Sequence, residues 1–348
     1  MLNQHLWSTP LPTPEDALRR LAAVQAQEFP VAKWSLAQRA RNADNAAIDR
    51  SFADGAILRT HILRPTWHFV LPEDIRWMLE LSGPRVNAMN SSRYRQLELD
   101  NRLLAKTNKL IAKALHGDNH LTRKELRIVL ERAGLEVDTS RLAFIVMRAE
   151  LDGVVCSGAP KGKQHTYALL DERAPEAKSL GRDGALAELT RRFFCARGPA
   201  TIKDYAWWSS FIMSDVRKGL DMVKSELEHE VIEDRTYWFA PQASHKPGSK
   251  KVIDLVQGYD EYLMSYSESR DAVFAELEEA GSAYTATVLL HSILCDGQLI
   301  GHWRPVRKEG SVLIETSLYR PLSHSESEAL ETAVGRYGRF MGEPVTLI

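Results

Sequence analysis

Hydrophobic positions along the chain alternate between helical and strand-like spacing, and the same order of the two patterns occurs three times. Each occurrence has three amphipathic stretches followed by two short stretches in which apolar and polar residues alternate. The first predicts helices at 14–25, 31–41 and 46–57 and a hairpin at 58–71. The second predicts helices at 101–115, from 121 and at 140–151, and a hairpin at 154–170. The third predicts helices at 185–197, from about 200 and at 214–227, and strands within 231–240.

Three helices and a two-stranded ribbon form the plan of the winged helix, a variant of the helix-turn-helix. We therefore predict three tandem winged-helix modules, at 1–98, 99–172 and 173–245. In the second module Thr122 precedes Glu125 by three residues, and this spacing predicts a capping box at the start of a helix.

Residues 246–348 differ in character and follow a turn-rich linker at 241–251. Strand-like stretches lie at 284–290, 293–294, 298–304 and 311–318, and a last helix is predicted at 325–340. The dipeptide Asp296-Gly297 predicts a tight hairpin turn between two of these strands. The predicted fold class is therefore α+β, mainly α, with three tandem winged-helix modules and a C-terminal β-rich domain.

Composition excludes several classes of protein. The 348 residues are 44% hydrophobic and 26% charged, which excludes a disordered or fibrous chain. The three cysteines are scattered without a CxxC pair, and neither a glycine-rich phosphate loop nor a metal-ligand spacing occurs. We therefore predict no cofactor and no bound metal. No apolar run approaches the roughly 20 residues of a membrane span, and no secretory signal is visible. The predicted location is the cytoplasm, at the nucleoid during action, with no membrane partner.

Charge is distributed unevenly along the chain. Residues 1–170 carry 24 Lys and Arg against 18 Asp and Glu (24 − 18 = +6), whereas residues 171–348 carry 21 against 28 (21 − 28 = −7). This asymmetry is expected of a protein with one surface that faces a polyanion. Solvated helix faces of random sign explain it equally well.

The most unusual local feature is Gln25-Ala26-Gln27, which follows the first predicted helix. Pro30 disfavours helical backbone at Phe29, so we expect the helix to end near Gln25 and the chain to continue in an extended form. Side chains two residues apart then point the same way, and both amides would converge on one pocket. Ordinary capping or surface glutamines are the alternative interpretation of this spacing.

The chain resembles the AlkZ-type (YcaQ-like) bacterial winged-helix DNA glycosylases over nearly its whole length. The resemblance lies in VQAQE from Val24, RPTWH from Arg64, VQGYDEY from Val256 and GQLIGHWRP from Gly297. That family unhooks interstrand crosslinks and removes bulky alkylated purines. The resemblance to its Gln-x-Gln branch, which is implicated in genotoxin resistance, implies that Gln25 and Gln27 are the catalytic residues. Pro65 replaces the glycine of the family's Arg-Gly-Thr-x-His segment and removes one backbone donor.

The chemistry of such a pair follows from its charge. A purine alkylated at N7 or N3 is cationic and leaves as a neutral base, so the reaction needs no strong general acid. Two amide oxygens can hold the attacking water and face the positive charge that develops on the sugar. An amide is not an effective base, so we expect cationic lesions to be released and uracil or intact bases to be retained. We expect a monofunctional enzyme, because no lysine is aligned as an amine nucleophile.

Further residues are candidates for contact with DNA. The phosphate ligands are predicted to be Arg39, Arg59 and Arg64, and His68 is predicted to contact the lesion. Sequence-independent contacts with the DNA backbone are predicted for the wing tip, at Lys161 and Lys163. The hairpin around 296–303, with His302, Arg304 and Arg307, is predicted to reach into a groove of DNA as a β-ribbon, and an ordinary exposed hairpin is the alternative. Trp67 is assigned to the core, with stacking on DNA as the alternative.

The expected partner is double-stranded DNA with alkylated or crosslinked purines, bound by a monomer. The sequence leaves open two other functions: a non-catalytic winged-helix DNA-binding protein that acts as a regulator, and a protein-interaction module.

Overall fold

A computed structural model describes residues 1–41, 43–241, 250–274 and 290–348. The chain divides into two compact units. The first unit consists of Met1–Ile48, Phe193–Trp207 and Lys224–Ile348, and the second of Asp49–Arg192 and Trp208–Val223. Both units join segments that are distant in sequence, whereas the predicted modules are consecutive, and the module boundaries at 98, 172 and 245 stay a prediction.

The described residues form a mixture of helices and strands. The helices are α1 Pro14–Leu21, α2 Phe29–Ala37, α3 Asn45–Asp54, α4 Pro72–Met89, α5 Ser91–Gln96, α6 Asn101–Leu115, α7 Arg123–Arg132, α8 Thr139–Leu151, α9 Leu170–Arg173, α10 Arg182–Arg197, α11 Ile202–Ser209, α12 Met213–Val223, α13 Glu261–Met264 and α14 His324–Met341. The strands are β1 Val24–Gln25, β2 Leu58–Ile62, β3 Thr66–Val70, β4 Leu121–Thr122, β5 Val155–Lys161, β6 Gln164–Leu169, β7 Glu228–Ile232, β8 Arg235–Phe239, β9 Ile253–Val256, β10 Ser292–Cys295, β11 Gln298–Lys308, β12 Ser311–Leu318 and β13 Val345–Leu347.

Within the second unit, the elements from α6 to β6 follow the order of a winged helix. Strand β4 pairs with β6, which pairs with β5, and α7 and α8 lie between β4 and β5 in the chain. The predicted capping box at the start of α7 is confirmed: the Glu125 N–H donates to Thr122 Oγ1 over 3.2 Å, and the Thr122 N–H donates to the Glu125 carboxylate over 2.6 Å. The number of winged-helix modules in the chain stays a prediction.

The first unit contains the predicted β-rich C-terminal region as one five-stranded sheet, in the order β13-β12-β11-β10-β9. The pairings are antiparallel except that of β12 with β13. An aromatic cluster packs α2 and α14 against the sheet, with ring centroids 5.1–5.2 Å from Tyr337 to Trp34 and to Trp303. The predicted Asp296-Gly297 turn is confirmed, with φ of 49° and 87°. Most of the strand predicted at 284–290 falls outside the described residues.

The first predicted helix ends earlier than expected. Helix α1 stops at Leu21, because Ala22 adopts φ of 64° and ψ of −51°, and Gln25 lies in the short strand β1. Phe29 was expected outside helical backbone, yet α2 begins at Phe29, with Pro30 in its first turn. A proline is accepted there because the first N–H groups of a helix have no partner within the helix.

Within the described residues, no helix is both long and apolar enough to cross a membrane.

Candidate active site

The Gln25-Ala26-Gln27 segment runs from β1 towards the start of α2 in the first unit. The expected extended backbone is observed at Gln25, which is only 2% exposed, and Ala26 is fully buried. Gln27 is exposed. The two glutamines therefore differ in their access to solvent, because Gln25 is buried in the first unit and Gln27 is exposed on its surface.

The backbone of Gln25 is held by side chains from a distant part of the chain. Its N–H donates to the Glu261 carboxylate over 2.9 Å, and its carbonyl accepts a long hydrogen bond of 3.5 Å from the Gln257 amide. The same amide of Gln257 donates to Ser35 Oγ over 3.2 Å. Gln257 and Glu261 are fully buried. Sequence analysis did not assign them a role, although both lie in the VQGYDEY segment that carries the family resemblance.

Arg39 occupies a different place from the one predicted. It is fully buried, and its two terminal nitrogens donate to the two oxygens of Asp260 over 2.9 and 2.7 Å. Its Nε and one terminal nitrogen also donate to the carbonyls of Gln4 and Ser35. A guanidinium that is enclosed and saturated in this way does not reach a DNA phosphate, so Arg39 is a structural residue and not a phosphate ligand.

The second unit places Arg59 against an aromatic ring. The Arg59 guanidinium lies 4.3 Å from the ring centre of Trp67, and Arg123 lies 5.9 Å from it. Arg59 is 8% exposed, and burial lowers its pKa from 12.5 to about 10. Trp67 is half-buried, and the His61 ring lies 4.4 Å from it. Trp67 is thus a partly exposed ring with two guanidinium groups near it, which differs from the core position assigned to it.

Arg64 lies in the turn between β2 and β3 of the second unit, and His68 lies on β3. Arg64 is half-buried and follows Leu63, whose φ is 61°. His68 is fully buried on β3, and its Nδ1 lies 3.0 Å from the carbonyl of Thr66. The burial of His68 does not fit the predicted contact with a lesion, because nothing of its side chain is exposed.

The wing tip between β5 and β6 is exposed, as a loop that contacts the DNA backbone must be. The Lys161 ammonium binds both carboxylate oxygens of Glu125, at 3.0 and 3.1 Å. Together with the N–H of Thr122, Lys161 lowers the pKa of Glu125 from 4.5 to about 2. Lys161 therefore has a competing partner, whereas Lys163 is exposed at the turn.

The C-terminal hairpin differs from the predicted ribbon. Gly297 of the Asp296-Gly297 turn is buried, and a Cβ at this position would meet Tyr262 Oη at 3.1 Å, whereas Asp296 is exposed. His302 is 9% exposed, its Nδ1 lies 3.2 Å from the His291 carbonyl and its Nε2 contacts the Tyr319 hydroxyl. Burial lowers the pKa of His302. His302 is therefore enclosed in the unit and is not displayed for DNA.

The exposed basic residues of this region lie further along β11. Arg304 is exposed and pairs with Glu315, its cross-strand neighbour. Arg307 is exposed near the β11–β12 turn. Arg307 and Lys308 therefore offer positive charge to solvent near this second turn.

Among the described residues, no group of three or more His, Cys, Asp and Glu side chains is arranged to hold a metal ion.

The fold is shared with a solved DNA glycosylase. The structure is similar to that of the DNA glycosylase AlkZ of Streptomyces sahachiroi, with a TM-score of 0.82 and 23% sequence identity. The match covers 100% of this chain and 97% of that chain. This likeness defines the class of fold: a mixed α+β architecture with a β-rich C-terminal sheet, as in that glycosylase.

Sequence comparison identifies the family. The profile described as "DNA glycosylase AlkZ-like" matches residues 18–340. The chain belongs to this family, and it is a DNA N-glycosylase. It is also 25% identical over 347 residues to the interstrand DNA cross-link repair glycosylase of Streptomyces sahachiroi, covering 96% of this chain and 93% of that protein.

Proposed function

We propose that this glycosylase hydrolyses the N-glycosidic bond of purines alkylated at N7 or N3, including those that form interstrand crosslinks. The observation that carries the proposal is the Gln25-Ala26-Gln27 segment, with one amide in the wall of the unit and the next in contact with solvent. Gln25 has a fixed backbone, because Glu261 holds its N–H. The fixed backbone of Gln25 and the exposed amide of Gln27 would together suit a site that orients a water molecule.

The substrate class follows from the neutrality of these two side chains. A cationic purine needs no proton to leave, so a site without a strong acid can release it. The amide oxygens of Gln25 and Gln27 would orient the water and stabilise the cationic sugar through preorganised dipoles. An uncharged base has no such advantage and would be retained.

Crosslinked bases are part of the proposal because a relative is named for interstrand crosslink repair. A base tied to the opposite strand cannot leave the stack, whereas many glycosylases extrude the target base into a pocket. The bond must therefore be cut while the base stays in the duplex. Arg64, which is half-buried, and Lys163, which is exposed, remain candidate contacts to the backbone of that duplex.

The test is release of base from defined duplexes. The substrates are DNA with one N7-methylguanine, DNA with a nitrogen-mustard crosslink and DNA with one uracil. Strand scission is measured before and after heating in alkali. We expect scission only after alkali, and only for the two cationic lesions. Replacing Gln25 or Gln27 with alanine is expected to slow release by about 10²–10³-fold.

Gln96→Ala is the matched control, because Gln96 is an exposed glutamine on α5 of the other unit. It is expected to keep the wild-type rate. Equal release of uracil would contradict the substrate class. Tight binding to DNA with no base release from any duplex would support a non-catalytic DNA-binding protein instead.

A further inference from the structure

A strained turn precedes the glutamine segment. Ala22 has φ of 64° and ψ of −51°, and the Ala23 N–H donates to the Leu21 carbonyl over 2.7 Å. This is a γ-turn with positive φ, a conformation that is rare and costly for a residue with a Cβ. It lies three residues before Gln25, and it persists only where the surrounding structure holds it.

Arg197, at the end of α10, spans this turn. One terminal nitrogen donates to the Leu21 carbonyl over 2.8 Å, and the other donates to the Ala23 carbonyl over 3.1 Å. The Nε donates to Ser265 Oγ over 2.8 Å, which fixes the plane of the guanidinium. The rigid fork of an arginine places a separate nitrogen at each of the two carbonyls that flank Ala22, whereas the ammonium of a lysine is a single point donor.

Glu261 connects this arginine to the glutamine segment. One carboxylate oxygen accepts from Arg197 over 2.6 Å and from Ser265 Oγ over 3.2 Å. The other accepts the N–H of Gln25 over 2.9 Å. Both members of the ion pair are fully buried. The ion pair therefore holds the backbone on both sides of Val24. Arg197 binds the carbonyls of Leu21 and Ala23 before it, and Glu261 binds the N–H of Gln25 after it.

We propose that Arg197 and Glu261 are positioning residues, whose buried ion pair holds the strained turn and so fixes the catalytic Gln25. The inference rests on the proposed function of the glutamine pair. Two neutral amides act only through the placement of their dipoles, so a shift of about 1 Å in this backbone can cost about 100-fold in rate. The ion pair does not touch the reacting atoms.

The chain offers a matched control in the neighbouring residue. Asp260 forms an equally buried pair with Arg39, also at 2.7 Å. Arg39 binds the carbonyls of Gln4 and Ser35, and not the turn at Ala22. Asp260→Asn removes the charge of this pair, keeps a side-chain oxygen for the Tyr262 N–H at the start of α13, and leaves the Glu261 carboxylate on the N–H of Gln25.

The experiment compares Glu261→Gln, Arg197→Lys and Asp260→Asn with the wild type on N7-methylguanine DNA. We expect similar losses of stability towards urea for the three variants. The kcat is expected to fall about 10- to 100-fold for Glu261→Gln and Arg197→Lys, with KM unchanged, and to stay close to wild type for Asp260→Asn. Arg197→Lys keeps the charge, so its loss of kcat would identify the fork geometry as the cause.

Two further measurements keep the test decisive. Hydrogen exchange of a peptide covering 22–28 is expected to speed up in Glu261→Gln and not in Asp260→Asn. Should the charge variants not fold, Ser265→Ala keeps both charges and is expected to lower kcat severalfold with KM unchanged.

The inference is overturned if kcat and exchange of residues 22–28 change equally in the Glu261 and Asp260 variants, or if Ser265→Ala, as the folded substitute, keeps the wild-type kcat. A wild-type protein that releases no base overturns the proposed function and, with it, the role of the Arg197–Glu261 ion pair in positioning a catalytic residue. Faster exchange in Glu261→Gln alone would then show that the pair only holds the turn. The two failures are therefore distinguishable.

Discussion

Replacing Arg39 with methionine separates a structural role for this side chain from a role in binding phosphate. Arg39 donates to both oxygens of Asp260 and to the backbone of Gln4 and Ser35, and no part of it is exposed. Arg39→Met leaves the Asp260 carboxylate buried without a counter-ion. Removing one partner of a buried pair costs about 3–5 kcal/mol. That loss is a large fraction of the roughly 5–15 kcal/mol that stabilises a typical protein.

The assay for this prediction is the free energy of unfolding in urea, measured together with the salt dependence of DNA binding. A phosphate ligand contributes about 0.9 to the slope of log K against log salt, so its loss would reduce the slope by that amount. We expect the slope of Arg39→Met to match wild type at temperatures where the variant is folded.

The double variant Arg39→Met/Asp260→Leu is the control. Because it removes both buried charges, it is expected to recover part of the lost stability, apart from about 1 kcal/mol for the lost Asp260 cap of α13. A single variant that loses less than about 1 kcal/mol and also shows a reduced salt slope would refute the structural role and restore the predicted phosphate contact.

Three other predictions follow from the described contacts. Thr122→Ala is expected to cost about 1 kcal/mol in the free energy of unfolding of the second unit, because it removes the cap of α7, and a loss near zero would contradict this. Glu326 has a pKa well below its ordinary 4.5 because Arg320 and the N–H of Ser323 bind its carboxylate, so it stabilises the fold above pH 4.5 and this contribution is lost as the pH falls below that value. The free energy of unfolding, measured in urea between about pH 3 and 5, should depend less on pH in Glu326→Gln than in wild type. Equal slopes against pH would contradict the assignment. Lys163→Ala is expected to reduce the salt slope of DNA binding by about 0.9, and Lys161→Ala by less, because Glu125 already binds Lys161; the reverse order would contradict this.

Short-range chemistry made much of the fold predictable from the sequence. The capping box of Thr122 and Glu125 and the Asp296-Gly297 turn each depend on residues within four positions of one another, and both were predicted correctly. The extended backbone at Gln25 followed from similar local rules. The end of α1 was misplaced because Ala22 adopts a left-handed conformation that no sequence rule assigns to alanine.

Contacts across long separations could not be predicted in the same way. Asp260 lies 221 positions after Arg39, and Glu261 lies 64 positions after Arg197. An arginine in an amphipathic stretch is most often exposed, so the pattern favoured a DNA contact for Arg39. The roles of Gln257 and Glu261 could not be predicted either, because they depend on hydrogen bonds to the backbone of Gln25, 232 and 236 positions earlier in the chain.

Under the proposed function, the buried ion pair of Arg197 and Glu261 explains how a site works with uncharged catalytic groups. A carboxylate or a lysine acts over several ångströms through its charge, whereas an amide dipole loses its effect when it turns or shifts. Such a site needs a backbone that does not move, and a strained turn supplies one only when it is held. Under the proposed function, the buried charges of Arg197 and Glu261 hold the backbone, so the side chains that would meet the substrate can be neutral. The proposal therefore predicts that Arg197 and Glu261 variants share a loss of kcat with the glutamine variants, although only the glutamines would contact the lesion.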